Sequence, residues 1–282
     1  MALTELEINA LKPDCTAAAA IEAKAENVAV GKVKLENLRC FALAVLAGMF
    51  IASGALFMTY VKSDATLPFA VSQVFGAAMF SLGLIMVIVA GAELFTGNNL
   101  MVMAALSKKC TWTQVLKNWV IVYLGNLVGS LVIVGCAFGS NCMGMNGGEV
   151  GSTMMTIAAG KIGLDPGVIL FRGIMCNFLV CMAVWMGFAG RTVIDKIFTS
   201  AFPVTAFVAM GFEHCVANMF FLPMGLVAKA SGVVYTGTAN VDLISLGGIL
   251  YNISLATVGN IIGGAVFVGV MYWIAYAKRS RA

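Results

Sequence analysis

Long apolar segments are the feature of this 282-residue sequence that most restricts its fold. A helix needs about 20 apolar residues to cross the hydrocarbon layer of a membrane. Only 11% of the residues are charged, whereas ordinary soluble domains carry about 25%. The sequence therefore predicts an all-α, multi-pass membrane protein with six transmembrane helices. The six apolar segments lie at about 38–61, 69–106, 113–138, 167–190, 199–228 and 248–277.

Lysine and arginine predict the orientation, because these residues collect on the cytoplasmic side of membrane proteins. With a cytoplasmic N-terminus, 13 of the 17 lysines and arginines lie on the inner side. The four on the outer side are Lys62, Lys161, Arg172 and Lys229. We therefore expect both termini in the cytoplasm, in a bacterial-type inner membrane. The same bias accounts for the net charge of +4, so no nucleic-acid partner is expected.

Composition divides the chain into three parts. Residues 1–36 are polar and contain no signal-peptide core, and they predict a cytoplasmic amphipathic helix from about residue 14. Residues 37–278 form the predicted six-helix transmembrane domain, and residues 279–282 form a cytoplasmic tail. The N-terminal helix has two interpretations, a helix lying at the membrane interface or a movable plug at the inner mouth.

Eight cysteines are scattered along the chain without a CxxC motif. This pattern favours small packing residues over a disulfide framework. No metal and no cofactor are expected.

Two apolar segments carry the same motif. YLGNLVG contains Gly125, Asn126 and Gly129, and TVGNIIGG contains Gly259, Asn260 and Gly263. Glycines four residues apart allow close helix packing in membranes, and a membrane-embedded asparagine needs partners or water. The two motifs lie in the third and sixth apolar segments. They therefore predict two three-helix halves, of which the second is inverted, as in many transporters.

Polar residues interrupt the second and fifth apolar segments. GAELFTGNNL covers residues 91–100, and MGFEHCVANMF, residues 210–220, contains the only histidine of the chain. Non-helical backbone at membrane depth is tolerated where protein buries it or where it lines a water-filled cavity. The sequence therefore predicts that the second and fifth helices are broken and that the two breaks meet at a pore.

Five segments resemble the signature segments of the formate/nitrite transporter family, and the similarity runs from about residue 30 to residue 278. These segments are GAELFTGNNL, YLGNLVG, RGIMCNFLVCMAVWM, GFEHCVANMFFLPMG and TVGNIIGG. The resemblance implies an aquaporin-like fold, a homopentamer in the lipid bilayer and one anion pore in each protomer.

The resemblance also assigns roles to residues. One of them, the inner vestibule lysine, matches Lys32, and the nearby Lys34 is an alternative for that role. It implies that the pore and substrate-binding residues are His214, Thr96, Asn177, Asn260, Lys161, Lys32 and Glu213. The implied constriction residues are Phe80, Leu84, Leu94, Phe95 and Phe207. Glu93 departs from the aspartate usual in formate channels, and Gly97-Asn98 is closer to nitrite and hydrosulfide relatives.

Physical chemistry suggests how these residues would act on a small anion. Vestibule lysines raise the local anion concentration, and apolar rings exclude ions that keep their water. Histidine titrates near neutral pH, so a proton from His214 would neutralise the anion and remove most of its desolvation cost. Thr96, Asn177 and Asn260 would supply hydrogen bonds. We expect Glu93 to accept backbone N–H groups.

Alternative interpretations remain for these residues and for the function. His214 can be an interhelical hydrogen-bond partner, and the constriction residues can be ordinary core. The first functional hypothesis is a channel or proton-coupled transporter for formate, and the second is the same fold passing nitrite or hydrosulfide. A water-type channel would carry Asn-Pro-Ala at both breaks, and an enzyme would need a nucleophile–base pair or a metal cluster. Neither pattern is present in the sequence.

Overall fold

The computed structural model describes residues 15–277, which form helices joined by turns. The first half of the chain contains α1 (Ala18–Val33), α2 (Asn37–Lys62), α3 (Phe69–Gly91), α4 (Phe95–Asn98), α5 (Val102–Leu106) and α6 (Trp112–Gly139). The second half contains α7 (Glu149–Ile162), α8 (Pro166–Ala189), α9 (Val193–Ala209), α10 (Cys215–Ala230) and α11 (Leu246–Ala277). Short 3₁₀ turns cover Asn99–Met101, Cys142–Gly144, Asn146–Gly148 and Val241–Leu243.

Five of these helices are long and apolar enough to cross a membrane, namely α2, α3, α6, α8 and α11. Helix α10 is apolar but has only 16 residues. The prediction of an all-helical protein with several apolar, membrane-length helices is therefore confirmed. The count of six crossings stays a prediction.

Capping residues determine where α9 begins, and hydropathy alone predicted a later start for this helix. At the start of α9, Thr192 accepts the backbone N–H of Asp195, and the Asp195 side chain accepts the backbone N–H of Thr192 in return. This capping box satisfies backbone donors that a helix start leaves free. The fifth apolar segment was predicted to begin at about residue 199, but the helix begins at Val193, because the capping box starts it within a charged stretch.

The repeated glycines bring helix backbones into contact, as predicted. A Cβ at Gly129 of α6 would lie 2.0 Å from the carbonyl oxygen of Val45 in α2. A Cβ at Gly263 of α11 would lie 2.1 Å from the carbonyl oxygen of Ile174 in α8. Neither position has room for a side chain. The contact between α2 and α6 is thus repeated between α8 and α11.

Two shorter helices pack beside the interrupted parts of the chain. Helix α1 buries Ile21 and Ala25 against a cluster that contains Leu100 and Met103. Helix α7 packs on α10, where a Cβ at Gly225 would lie 2.3 Å from Cβ of Ala158. The predicted N-terminal helix begins at Ala18 rather than near residue 14. Residues 1–14, residue 278 and the predicted tail 279–282 lie outside the described residues.

Candidate functional site

The chain leaves helical geometry at two places, which we call the first and second interruptions. The first interruption, residues 92–94, separates α3 from α4, and the second, residues 210–214, separates α9 from α10. Each begins next to a glycine with positive φ, 82° at Gly91 and 71° at Gly211. Such a backbone conformation is strained for other L-residues. Glycine therefore allows the sharp change of direction at both places.

A buried asparagine fastens the first interruption. The side-chain oxygen of Asn126 accepts the backbone N–H of Phe95 at 2.9 Å. Its amide nitrogen donates to the carbonyl oxygens of Ala44, at 2.8 Å, and Glu93, at 2.9 Å. The amide thus satisfies two backbone groups of the interruption, the N–H of Phe95 and the carbonyl of Glu93, and ties them to the carbonyl of Ala44 inside α2.

The second interruption is fastened by Asn260 with the same pattern. Its oxygen accepts the backbone N–H of Cys215 at 2.9 Å, and its nitrogen donates to the carbonyl oxygens of Gly173 and Glu213, each at 2.8 Å. Both amide N–H groups are therefore occupied by backbone. The amide therefore holds the chain in place, and the expected hydrogen bond from Asn260 to substrate stays a prediction.

Each interruption also contains a glutamate paired with a lysine. Glu93 lies 2.8 Å from Nζ of Lys32, and Asn98 donates to its second oxygen at 2.7 Å. Asn98 also accepts from Lys32, at 2.8 Å, and donates to Asn118, at 2.8 Å. The expectation of backbone partners for Glu93 was wrong, because side-chain donors from α1 and α4 occupy both of its oxygens.

The second interruption repeats this cluster with one difference. Lys161 pairs with Glu213 at 2.8 Å, and the amide nitrogen of Asn218 donates to Glu213 and to Asn252, each at 2.7 Å. The side-chain oxygen of Asn218 is buried and has no hydrogen-bond partner among the described residues. Lys161 therefore has one acceptor where Lys32 has two.

His214 joins the two interruptions. Its Nδ1 accepts the backbone N–H of Ala217 at 3.0 Å and so caps the N-terminus of α10. Its Nε2 lies 3.0 Å from the hydroxyl oxygen of Thr96 in α4. Because Nδ1 is an acceptor, a neutral ring carries its proton on Nε2 and donates it to Thr96. Both residues are buried.

Asn177 of α8 supports the segment that carries Thr96. Its two amide N–H groups are shared among three acceptors, the carbonyl oxygen of Thr96 at 3.2 Å, the side-chain oxygen of Asn99 at 2.8 Å and the carbonyl oxygen of Asn260 at 2.7 Å. Asn177 therefore links the segment after the first interruption to Asn260, which fastens the second interruption. Its N–H donors are already engaged.

Two cavities that share no lining residue approach this junction, and we name them outer and inner after the orientation that the lysine and arginine bias predicts. The outer cavity has a volume of about 310 Å³, and its lining includes Phe80, Phe207, His214 and Lys161. The inner cavity has a volume of about 660 Å³, and its lining includes Leu84, Leu94, Lys32 and Gly97. Thr96 lies beside Leu94 and contacts His214, so the junction sits between the two cavities.

The predicted constriction residues divide into two groups. The rings of Phe80 and Phe207 meet edge to face with centroids 6.0 Å apart, and Phe207 stacks on the His214 ring at 5.9 Å. Phe95 instead packs against Trp119 and Tyr123, at 5.9 and 5.0 Å, and lines neither of the two cavities. Its ring packs between helices, and its predicted place in the pore stays a prediction.

Sequence reasoning missed several polar partners. Asn118 and Asn252 complete the two glutamate clusters, and each precedes the fastening asparagine of its helix by the same spacing. That repeated spacing is a signal that could have identified them. Lys62 and Arg172 line the outer cavity, and the lysine and arginine bias predicted only their side of the membrane.

The chain is similar to known proteins over nearly its whole length. A family model described as formate/nitrite transporter matches residues 19–274. The formate channel FocA of Escherichia coli (strain K12) is 39% identical over 270 residues, which cover 93% of this chain and 95% of FocA. A Bacillus subtilis (strain 168) protein described as the uncharacterized transporter YrhG is 40% identical over 276 residues, with 96% of each chain covered.

Two solved structures have a similar fold. One, described as a pentameric formate channel with formate bound, has a TM-score of 0.75 and 35% identity, covering 86% of this chain and 98% of its own. The other, described as an FNT family ion channel, has a TM-score of 0.80 and 26% identity, covering 91% and 98%.

Proposed function

The chain belongs to the formate/nitrite transporter family, and from that premise we propose that it passes small monovalent anions across a membrane, with formate as the leading substrate. Relatives at 39% identity are described as formate channels. Their names describe channels and not enzymes, and we propose no enzymatic activity for this chain. Nitrite and hydrosulfide are the alternative substrates of the same pore.

We propose that the chain crosses the inner membrane six times, with α4–α5 completing the second crossing and α9–α10 forming the fifth. Contacts repeated between the two halves support an inverted three-helix repeat.

The lysine and arginine bias supports a cytoplasmic location for both termini, the N-terminal segment 1–36 and the tail 279–282, with the transmembrane domain at 37–278. The similar structure described as pentameric supports a homopentamer. Exposed side chains such as Phe69 and Phe202 would face lipid or neighbouring protomers.

The single observation that carries the proposed function is the 3.0 Å contact between Thr96 and His214, located between two cavities. An anion that leaves the outer cavity passes Phe80 and Phe207 and reaches this contact. It leaves through the inner cavity past Leu94. The apolar side chains make a charged, hydrated ion costly to move, because desolvation of an ion costs several kcal/mol or more.

The neutral His214 ring offers this anion an N–H donor at Nε2. A proton that reaches Nδ1 replaces the hydrogen bond from Ala217 and converts the ring to an imidazolium. The imidazolium can then transfer its Nε2 proton to a formate oxygen, which leaves a neutral ring and neutral formic acid. The neutral acid passes the next apolar side chains at a lower desolvation cost. We propose that His214 is the central anion site and the proton donor, with Thr96 as its partner.

The direct test is flux through purified protein in liposomes. Formate, nitrite, hydrosulfide and chloride are compared at pH 5.5 and pH 7.5, with protein-free liposomes as the control for passive leak. We expect saturable formate flux that exceeds chloride flux at both pH values. Faster nitrite or hydrosulfide flux would replace formate with that anion, and flux no greater than leak for all four would contradict the proposal.

A further inference from the structure

The outer cavity contains more positive charge than its carboxylates compensate. Lys62, Lys161 and Arg172 line it, together with the single carboxylate Glu213. Lys161 is paired with Glu213 at 2.8 Å, so its charge is balanced locally. The uncompensated positive charge of this cavity therefore belongs to Lys62 and Arg172.

The partners of these two cations are neutral. Nζ of Lys62 donates to the side-chain oxygen of Gln73 at 2.5 Å, and Nη1 of Arg172 donates to the carbonyl oxygen of Gly211 at 3.3 Å. Among the described residues, no carboxylate forms an ion pair with either side chain. A partly buried cation without a counter-ion retains part of its desolvation cost, and a bound anion would relieve it.

We propose that Lys62 and Arg172 form an external anion-binding subsite that captures substrate above Phe80 and Phe207. Lys62 approaches from the end of α2 and Arg172 from α8, so the two halves of the chain face each other across the cavity. The inference rests on the proposed anion transport but assigns capture from outside to residues other than Lys161.

The shape of the arginine side chain indicates the class of anion. A guanidinium has five N–H donors in a plane, and Gly211 occupies one of them. The remaining donors fit two oxygens of one planar group, as in carboxylate recognition. The ammonium of Lys62 supplies charge without this geometry. The subsite therefore favours planar anions with two oxygens, such as formate and nitrite, over spherical chloride or hydrosulfide.

The test uses membrane vesicles of both orientations that contain the full-length protein. Right-side-out vesicles present the outer cavity to labelled formate, and inverted vesicles present the inner cavity. We expect Lys62→Gln and Arg172→Gln each to raise the half-saturating formate concentration about fivefold in right-side-out vesicles, because one nearby charge is lost. The maximal rate, and uptake into inverted vesicles, should stay unchanged.

Matched variants separate charge from structure. Lys62→Arg keeps the charge and should remain close to wild type. Arg172→Lys keeps the charge but loses the planar donors, so it should weaken formate and nitrite uptake and leave chloride uptake unchanged. Lys229→Gln removes a cation that lines neither cavity and should leave right-side-out uptake unchanged.

Each outcome either supports or overturns the subsite. An unchanged half-saturating concentration in Lys62→Gln and Arg172→Gln would overturn it. A lower maximal rate at an unchanged half-saturating concentration would also overturn it, because that result indicates a structural role. Absence of formate uptake by the wild type would instead contradict the proposed substrate, and the same shifts are then measured with nitrite.

Discussion

The first and second interruptions are fastened alike but present different side chains to the junction between them. At each, a buried asparagine holds the backbone on both sides of the turn, and a glutamate pairs with a lysine from a neighbouring short helix. After the glutamate, however, the first interruption continues with Leu94 and reaches Thr96, whereas the second continues with His214 and reaches Val216.

This difference separates two kinds of residue. Groups that occur at both interruptions bind backbone or one another, and they hold the chain in place. The groups that occur once, Thr96 and His214, meet each other at 3.0 Å between the two cavities. We infer that the repeated residues form the framework and that the unrepeated residues act on the anion.

The largest expected effect tests the shared framework. Asn126→Leu and Asn260→Leu should each destabilise the protein by about 4 kcal/mol, because each leaves two backbone groups of an interruption without partners, at about 1–3 kcal/mol per group. Thermal unfolding in detergent, followed by size-exclusion chromatography, measures this loss. If only one variant lost stability, Asn126 and Asn260 would not have equivalent roles in holding the two interruptions, which would contradict the prediction.

The next effect tests the one difference between the two glutamate clusters. Removing one partner of a buried ion pair costs about 3–5 kcal/mol, and partial exposure of the lysines reduces this value. Glu213→Gln should destabilise by about 3 kcal/mol and Glu93→Gln by about 2 kcal/mol, because Lys32 keeps Asn98 as an acceptor. The same unfolding assay compares them, and a larger loss in Glu93→Gln would contradict the assigned difference.

A smaller effect tests the unrepeated residues. Thr96→Val removes the hydroxyl that contacts His214 and should reduce formate flux about tenfold, which corresponds to about 1.4 kcal/mol. Val216→Thr adds a hydroxyl at the matching position of the second interruption and should change flux less than about twofold. Liposome flux at equal protein content measures both. Equal losses would mean that the hydroxyl at the junction has no special role.

The smallest effect concerns the anchoring of the short helix at the first interruption. Glu26 of α1 accepts a hydrogen bond from Ser107 and lies 2.5 Å from Nζ of Lys109. Burial alone would raise the pKa of Glu26, but the hydrogen bonds from Lys109 and Ser107 outweigh it and hold the pKa below its usual value.

A lowered carboxyl pKa contributes stability that is present above the ordinary value and is lost as pH falls through the lowered one. Glu26→Gln should therefore loosen α1 by about 1 kcal/mol at neutral pH, and the wild type should resemble the variant only after the pH has fallen through the lowered pKa of Glu26. Hydrogen–deuterium exchange of α1 measures the change, with α7 as the reference helix. Identical protection of α1 in the variant and the wild type at neutral pH would contradict this anchoring.

The sequence predicted what depends on local pattern. Hydropathy identified the apolar helices, and the repeated GNxxG motif identified the helix contacts at Gly129 and Gly263. The capping box at Thr192 is also visible in the sequence. Hydropathy nevertheless placed the helix start later, because the residues around Thr192 are charged.

The partners across the junction could not be predicted, because residues distant in the sequence supply them. Lys32 is 61 residues from Glu93, and Lys161 is 52 residues from Glu213. Family resemblance implied a role for each lysine but not that a carboxylate neutralises it. Family resemblance implied a pore position for Phe95 beside the first interruption, but the direction of its ring depends on packing against Trp119 and Tyr123, which the sequence does not show.

The central claim is that the His214 ring meets the anion, and a substitution that retains its helix cap tests this claim most directly. Asparagine is a strong N-cap residue, so His214→Asn can keep the hydrogen bond to Ala217 while it removes the Nε2 donor and the titratable ring. The measurement is formate flux into liposomes between pH 5.5 and pH 7.5, corrected for leak. We predict that wild-type flux rises as pH falls, and that flux through a stably folded His214→Asn protein is lower and independent of pH. Wild-type rate and pH dependence in that variant would contradict the account.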